Sequence, residues 1–105
     1  AHDQGDADSA RRQALCAVQV SAMSPDDVTA LVVVDRAQRA RARYGAYTST
    51  HEALGVITEE YHELMSAIQA NRLGSVEDEA LDLAACALKL ARDCSNEAFR
   101  ERSGK

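Results

Sequence analysis

The stretch STHEALGVITEEYHELMSAIQANRLGSVEDEALDLAACALKLARD, residues 49–93, decides the fold. Apolar residues recur in it at steps of three and four, the signature of a helix with one covered face. Ala53, Val56, Glu60, Glu63 and Ala67 fall on one stripe, and Leu54, Ile57, Tyr61, Leu64 and Ile68 on the neighbouring one. Ser49 and Glu52, three apart, resemble a capping box and predict a helix from about Thr50 to Asn71. Asn71 to Ser75 breaks the pattern, through Gly74 and Ser75, with Ser75 and Asp78 able to cap again. A second helix is expected from about Val76 to Phe99, and the short break folds the two into an antiparallel hairpin. From Ala80 to Ala91 that second helix is apolar nearly all round, with Asp82 and Lys89 as the exceptions. A helix apolar on every face is expected to be buried.

Outward from the hairpin the signals stay helical. Ser24-Pro25-Asp26-Asp27 places a capping serine before a proline suited to the first helical position, followed by acids that favour a helix N-terminus. The helix that starts there is predicted to run to about Tyr44, where Gly45 can end it. Leu31 to Val34 is β-branched in part but lies inside this frame. An earlier helix is expected over about 8–23, on the recurrence of Leu15, Val18 and Ala22. Residues 1–7 and 100–105 read as loose polar ends. The fold class expected is therefore all-α. About four helices form one domain over residues 1–105, with an acidic hairpin completed as an oligomeric bundle.

Composition agrees with this and excludes several classes. Over 105 residues, 46% are hydrophobic, 28% charged and 4% aromatic, with a single proline. That balance suits a small helical domain with a modest core, for which dimerisation would help. The net charge of −5 disfavours general nucleic-acid binding. No apolar run approaches membrane-spanning length, and no signal peptide is evident. Cys16, Cys86 and Cys94 lack metal-site spacing and read as reduced, mostly buried thiols, so a cytoplasmic location is expected. The chain starts at Ala1 rather than Met, consistent with removal of an upstream piece.

The chemistry lies in two pairs of carboxylates, Glu60 with Glu63 and Glu79 with Asp82, each spaced i, i+3 on one helix face. Either pair alone reads as a solvated face, and Glu77, Asp78 and Glu79 suit a helix N-terminus through the dipole alone. Two such pairs on facing helices, in apolar surroundings, would repel one another unless a hard cation such as Mg²⁺ offset them. With the turn centred near Leu73, Glu63 and Asp82 stand at similar heights, and Glu60 and Glu79 are offset by roughly 12 Å at about 1.5 Å per residue. One ion in a straight hairpin would not meet all four; inclined helices or several ions would. Glu59 is the local competitor.

Other side chains have a bland reading beside a functional one. Lys89, seven residues past Asp82, shares its face and is either a phosphate contact or a snorkelling lysine. Asn96, a further seven on, is a candidate nucleotide contact. Arg36, Arg39, Arg41 and Arg43 read as a solvated run at a helix C-terminus, with triphosphate attraction or a subunit contact as the alternative. His51 and His62 read as surface residues. Tyr44 and Tyr47 are candidates for stacking on a base, and Tyr61 is expected in the core.

Glu59-Glu60-Tyr61-His62-Glu63-Leu64, then fifteen residues, then Glu79-Ala80-Leu81-Asp82, resembles the acidic signature of MazG-type all-α nucleoside triphosphate pyrophosphohydrolases. Ser49 to Leu64 is similar to small phage- and integron-associated members, and Glu79 to Asp93 resembles their following helix. The likeness covers about residues 43–93, while the first forty residues match no such pattern. It implies Mg²⁺-dependent hydrolysis of a nucleoside triphosphate to monophosphate and pyrophosphate, with Mn²⁺ as a substitute. It also implies Glu60, Glu63, Glu79 and Asp82 as metal ligands, Glu59 or Glu63 as the group activating water, and a homodimer or homotetramer with no nucleic acid or membrane partner. A phosphoribosyl-ATP pyrophosphohydrolase shares the acid arrangement, but no basic glycine-containing segment precedes Glu59-Glu60. A non-catalytic helical interaction module is the alternative of a different class.

Overall fold

The structure is a computed structural model and describes residues 23–103. Within them it is all-helical: α1 (Pro25–Tyr44), α2 (Thr50–Gln69), α3 (Leu73–Cys94) and α4 (Glu97–Ser103). The helix expected over 8–23, and Cys16 with it, lie outside the described residues. Contacts divide the chain at residue 30, so that among the described residues the N-terminal end of α1 and the two residues before it belong to the first unit. The second unit, from residue 31 on, carries the core and the candidate site.

Each boundary has a local cause. Ser24 Oγ accepts from the Asp27 amide at 3.1 Å, and the Asp27 carboxylate accepts in return from the Ser24 amide at 3.2 Å. This is a reciprocal cap with aspartate in the usual glutamate position. At the other end of α1, Gly45 takes φ +76° and its N–H donates to Arg41 O. Ser49 caps α2 by accepting from the Glu52 amide at 3.1 Å. The Glu52 carboxylate turns to Thr48, taking its hydroxyl at 2.5 Å and its amide at 3.4 Å, so the return half of the expected box lands one residue early. Those two bonds, the hydroxyl one foremost, hold the Glu52 carboxyl below its ordinary range.

The break between the long helices differs from the expectation. Asn71 adopts a left-handed φ of +57° and absorbs the reversal itself, and α3 begins at Leu73 with Gly74 and Ser75 inside its first turn. First-turn amides have no intrahelical acceptor in any case, so glycine there forfeits little. The far end of α3 also differs. The helix stops at Cys94, and Asn96 Oδ1 accepts from the amides of Ala98 and Phe99, opening the separate helix α4. That helix carries the backbone to Ser103, through much of the stretch expected to be loose.

Antiparallel packing of α2 on α3 is the main contact, with α4 folded onto α3. Phe99, Tyr47 and Ala53 form the buried core, flanked by Val56 and Leu90; Ala37, Ala67 and Ala85 are buried beside them. Alanines let the helix axes approach but bury little area each, so this core is small. Two expectations of burial fail accordingly. Tyr61 is 53% exposed, and Ala80, Ala84, Ala87, Leu88 and Ala91 leave one side of α3 facing outward. Cys86 is half-buried and Cys94 exposed, both as free thiols, against the expectation of mostly buried ones. Among the described residues, no helix is long and apolar enough to cross a membrane.

Candidate metal centre

Moving the pivot to Asn71 changes the register of the acids. Glu60 and Asp82 each lie eleven residues from Asn71, and Glu63 and Glu79 each lie eight. Glu60 therefore stands opposite Asp82, and Glu63 opposite Glu79. The roughly 12 Å offset expected from a turn at Leu73 does not arise: carboxylate oxygens of Glu60, Glu79 and Asp82 all lie within 4.8 Å of one another. Glu60 comes from α2, the other two from consecutive turns of α3.

Among the described residues, two carboxylate oxygens of these side chains have no counterpart. Glu60 Oε2 and Glu79 Oε2 are buried without a hydrogen-bond partner. Burying an ionised carboxylate without a donor or cation is costly, and the group then tends to take up a proton. Burial, reinforced by the charges of Glu63, Asp82 and Glu79, pushes the Glu60 carboxyl up to about 7. Glu79 is raised as well, by burial first and then by the neighbouring Glu63 carboxylate. Glu63 is itself exposed and lies outside the three-oxygen cluster, lining a shallow pocket together with Glu79.

Among the described residues, Asp82 has one charged donor. Arg36 Nη1 reaches Asp82 Oδ1 at 2.9 Å, while its Nη2 reaches Asp78 Oδ1 at 2.9 Å. A single guanidinium cannot offset this many acids, so the cluster keeps excess negative charge. Among the described residues, its donor set is oxygen only, from carboxylates, with no histidine or cysteine. Such a set fits a hard divalent cation, and the orphaned oxygens of Glu60 and Glu79 supply the partners it would take.

A cleft of about 520 Å³ opens beside the cluster, with Arg36, Tyr44, Glu59, Glu60, Asp82 and Lys89 in its lining. Glu59 is exposed at its rim. Lys89 is only 5% exposed, and its Nζ sits 3.9 Å from the centroid of the Tyr47 ring. It is thus a buried cation–π partner rather than a snorkelling lysine. Tyr47 belongs to the core and cannot also stack on a base through the face that Lys89 covers. Asn96 lines a separate cavity of about 530 Å³ with Gln38, Arg41, Leu88 and Arg92, and its side-chain oxygen is engaged in capping α4. His51 and His62 are exposed, with the His62 ring edge-on to Tyr61.

Two arginines of the basic run have roles that their sequence context did not signal. Arg36 is the acid partner just described. Arg41 donates to Asp93 Oδ1 at 2.9 Å, and Asp93, 5% exposed, also accepts from the Tyr47 amide at 2.9 Å. Both pairs join α1 to α3 across more than forty residues, so no local pattern marks them. Arg39 pairs with Asp35 on the exposed side of α1, and Arg43 lies over the Tyr44 ring, as expected of a solvated face. Searches against protein families, curated proteins and solved structures return no match for this chain.

Proposed function

We propose that the chain is a Mg²⁺-dependent nucleoside triphosphate pyrophosphohydrolase of the MazG type, converting (deoxy)NTPs to monophosphates and pyrophosphate, in a role clearing non-standard or surplus nucleotides. The observation that carries this reading is the convergence of Glu60, Glu79 and Asp82 from two helices with two buried oxygens left unpartnered. Glu60, Glu79 and Asp82 would hold the cation. Bound there, Mg²⁺ or Mn²⁺ would supply the positive charge that offsets the triphosphate and the departing pyrophosphate. Glu63, in the pocket it lines with Glu79, would orient the attacking water and take its proton, with Glu59 at the rim of the cleft as the alternative base. Lys89 binds a phosphate from the wall of the cleft, its charge held in place by the Tyr47 ring.

Self-association belongs to the same reading. Leu54, Tyr61 and Ile68 are exposed at seven-residue intervals along α2, with half-buried Ile57 and Leu64 between them. That alternation of three and four is the seam a partner helix packs against, and it supports a homodimer or a dimer of dimers.

The test is release of pyrophosphate across a panel of ribo- and deoxyribonucleoside triphosphates with Mg²⁺ and with EDTA. Turnover with Mg²⁺ that is abolished by Glu63→Gln or Asp82→Asn is the expected result. A chain that turns over none of the panel would instead be a binding module.

A further inference from the structure

Arg36 is the one charged donor on the acidic cluster among the described residues, and it comes from a third helix. Its Nη1 donates to Asp82 Oδ1 at 2.9 Å and to the Asp78 carbonyl at 3.0 Å, and its Nη2 to Asp78 Oδ1 at 2.9 Å. The fork spans one turn of α3 and engages a single oxygen of Asp82. We propose that Arg36 is a positioning residue for the cation site: it fixes the rotation of the Asp82 carboxylate and leaves that group's other oxygen for the ion. This rests on the cation-site reading of Glu60, Glu79 and Asp82.

The sign of the effect follows from charge. A bare guanidinium beside a cation would repel it, and removing it would tighten binding. Arg36, however, is also paired with Asp78, an exposed acid outside the cluster, so the two form a neutral unit. What that unit gives Asp82 is orientation. Carboxylate ligands are commonly held by such outer partners, and losing one typically weakens metal affinity 10–100-fold. Arg36 is suited to this because its planar fork has several fixed donors, where a lysine offers a point charge.

A second arginine supplies the control. Arg41, five residues further along α1, clamps the same two helices through Asp93 and the Lys89 carbonyl, and touches none of the clustered acids. If Arg36 acted only by docking α1, weakening Arg41 would have the same effect on the ion.

The experiment is Mn²⁺ binding to the full chain, by calorimetry and by electron paramagnetic resonance of free Mn²⁺, with helicity and Tm recorded in parallel. The double variant Arg36→Gln/Asp78→Asn removes the neutral unit without changing net charge. It is expected to bind Mn²⁺ about 10–100-fold more weakly at unchanged helicity. Arg36→Lys is expected to fall between it and the unaltered protein, and Arg41→Lys to lower the Tm without changing the Kd. A double variant that binds as tightly as the unaltered protein, or more tightly, overturns the proposal, as does equal weakening by Arg41→Lys. Should the double variant lose its helicity, Arg36→Lys decides: a weaker Kd supports positioning and an unchanged one sinks it. If the unaltered protein binds no Mn²⁺, the cation-site reading itself fails, a result distinct from all of these.

Discussion

Glu60 shows how a single side chain records the conflict in this site. Its carboxyl is pushed up to about 7, by burial first and by the neighbouring acids second, and Glu79 moves in the same direction. Between the ordinary glutamate range and pH 7, the folded protein therefore binds protons that the unfolded chain has already released. Its stability is full at the acid end of that window and falls as pH rises through it. Without metal, the Tm is expected to be higher at pH 5 than at pH 8. Glu60→Gln should flatten the profile and raise the Tm at pH 8 by several degrees, since ~1 kcal/mol moves a domain of this size by roughly 4–8 °C. Added Mg²⁺ should raise the Tm more at pH 8 than at pH 5, because protons compete for the same oxygens. Scanning calorimetry at the two pH values checks all three; a Tm that climbs from pH 5 to pH 8 in EDTA would contradict the assignment.

At the scale of elements, the three long helices were legible, while the separate α4 and the register between α2 and α3 were not. Ser24-Pro25, Ser49 and Gly45 mark ends that the structure keeps, because caps depend on a few neighbouring residues. The i, i+3 spacing of the acids likewise placed each pair on one face. What spacing cannot supply is the pivot. A reversal centred two residues earlier, on the left-handed backbone of Asn71, slides α3 past α2 by about one helical turn, enough to bring Glu60 to Asp82. Arg36 and Arg41 were illegible for another reason: their partners lie more than forty residues away, and an arginine at a helix end looks the same whether solvated or paired. The Arg41–Asp93–Tyr47 unit should account for much of the attachment of α1 and of the Gly45–Ser49 connection. Asp93→Ala, which leaves the Arg41 guanidinium and the Tyr47 amide without their acceptor, is expected to cost about 3 kcal/mol in urea unfolding. Asp35→Ala, which breaks the exposed pair with Arg39, should cost less than about 1 kcal/mol.

For the molecule as a whole, a small alanine-rich core and a long outward apolar stripe belong together. Tyr61 was expected inside because helical periodicity counts covered faces without saying what covers them. A second copy of α2 laid along Leu54, Tyr61 and Ile68 would reconcile that periodicity with the observed exposure. Tyr61→Glu or Leu54→Glu is then expected to turn a dimeric mass into a monomeric one by light scattering at micromolar concentration, and a mass unchanged by either variant would speak against this face. The claim on which the rest depends is that acids from α2 and α3 share one divalent ion. Anomalous scattering from a Mn²⁺-soaked crystal tests it most directly. The prediction is a manganese peak between the carboxylates of Glu60, Glu79 and Asp82, with Arg36 still on Asp82. Saturating Mn²⁺ that leaves this position without a peak, while the three side chains stay as they are, would contradict it.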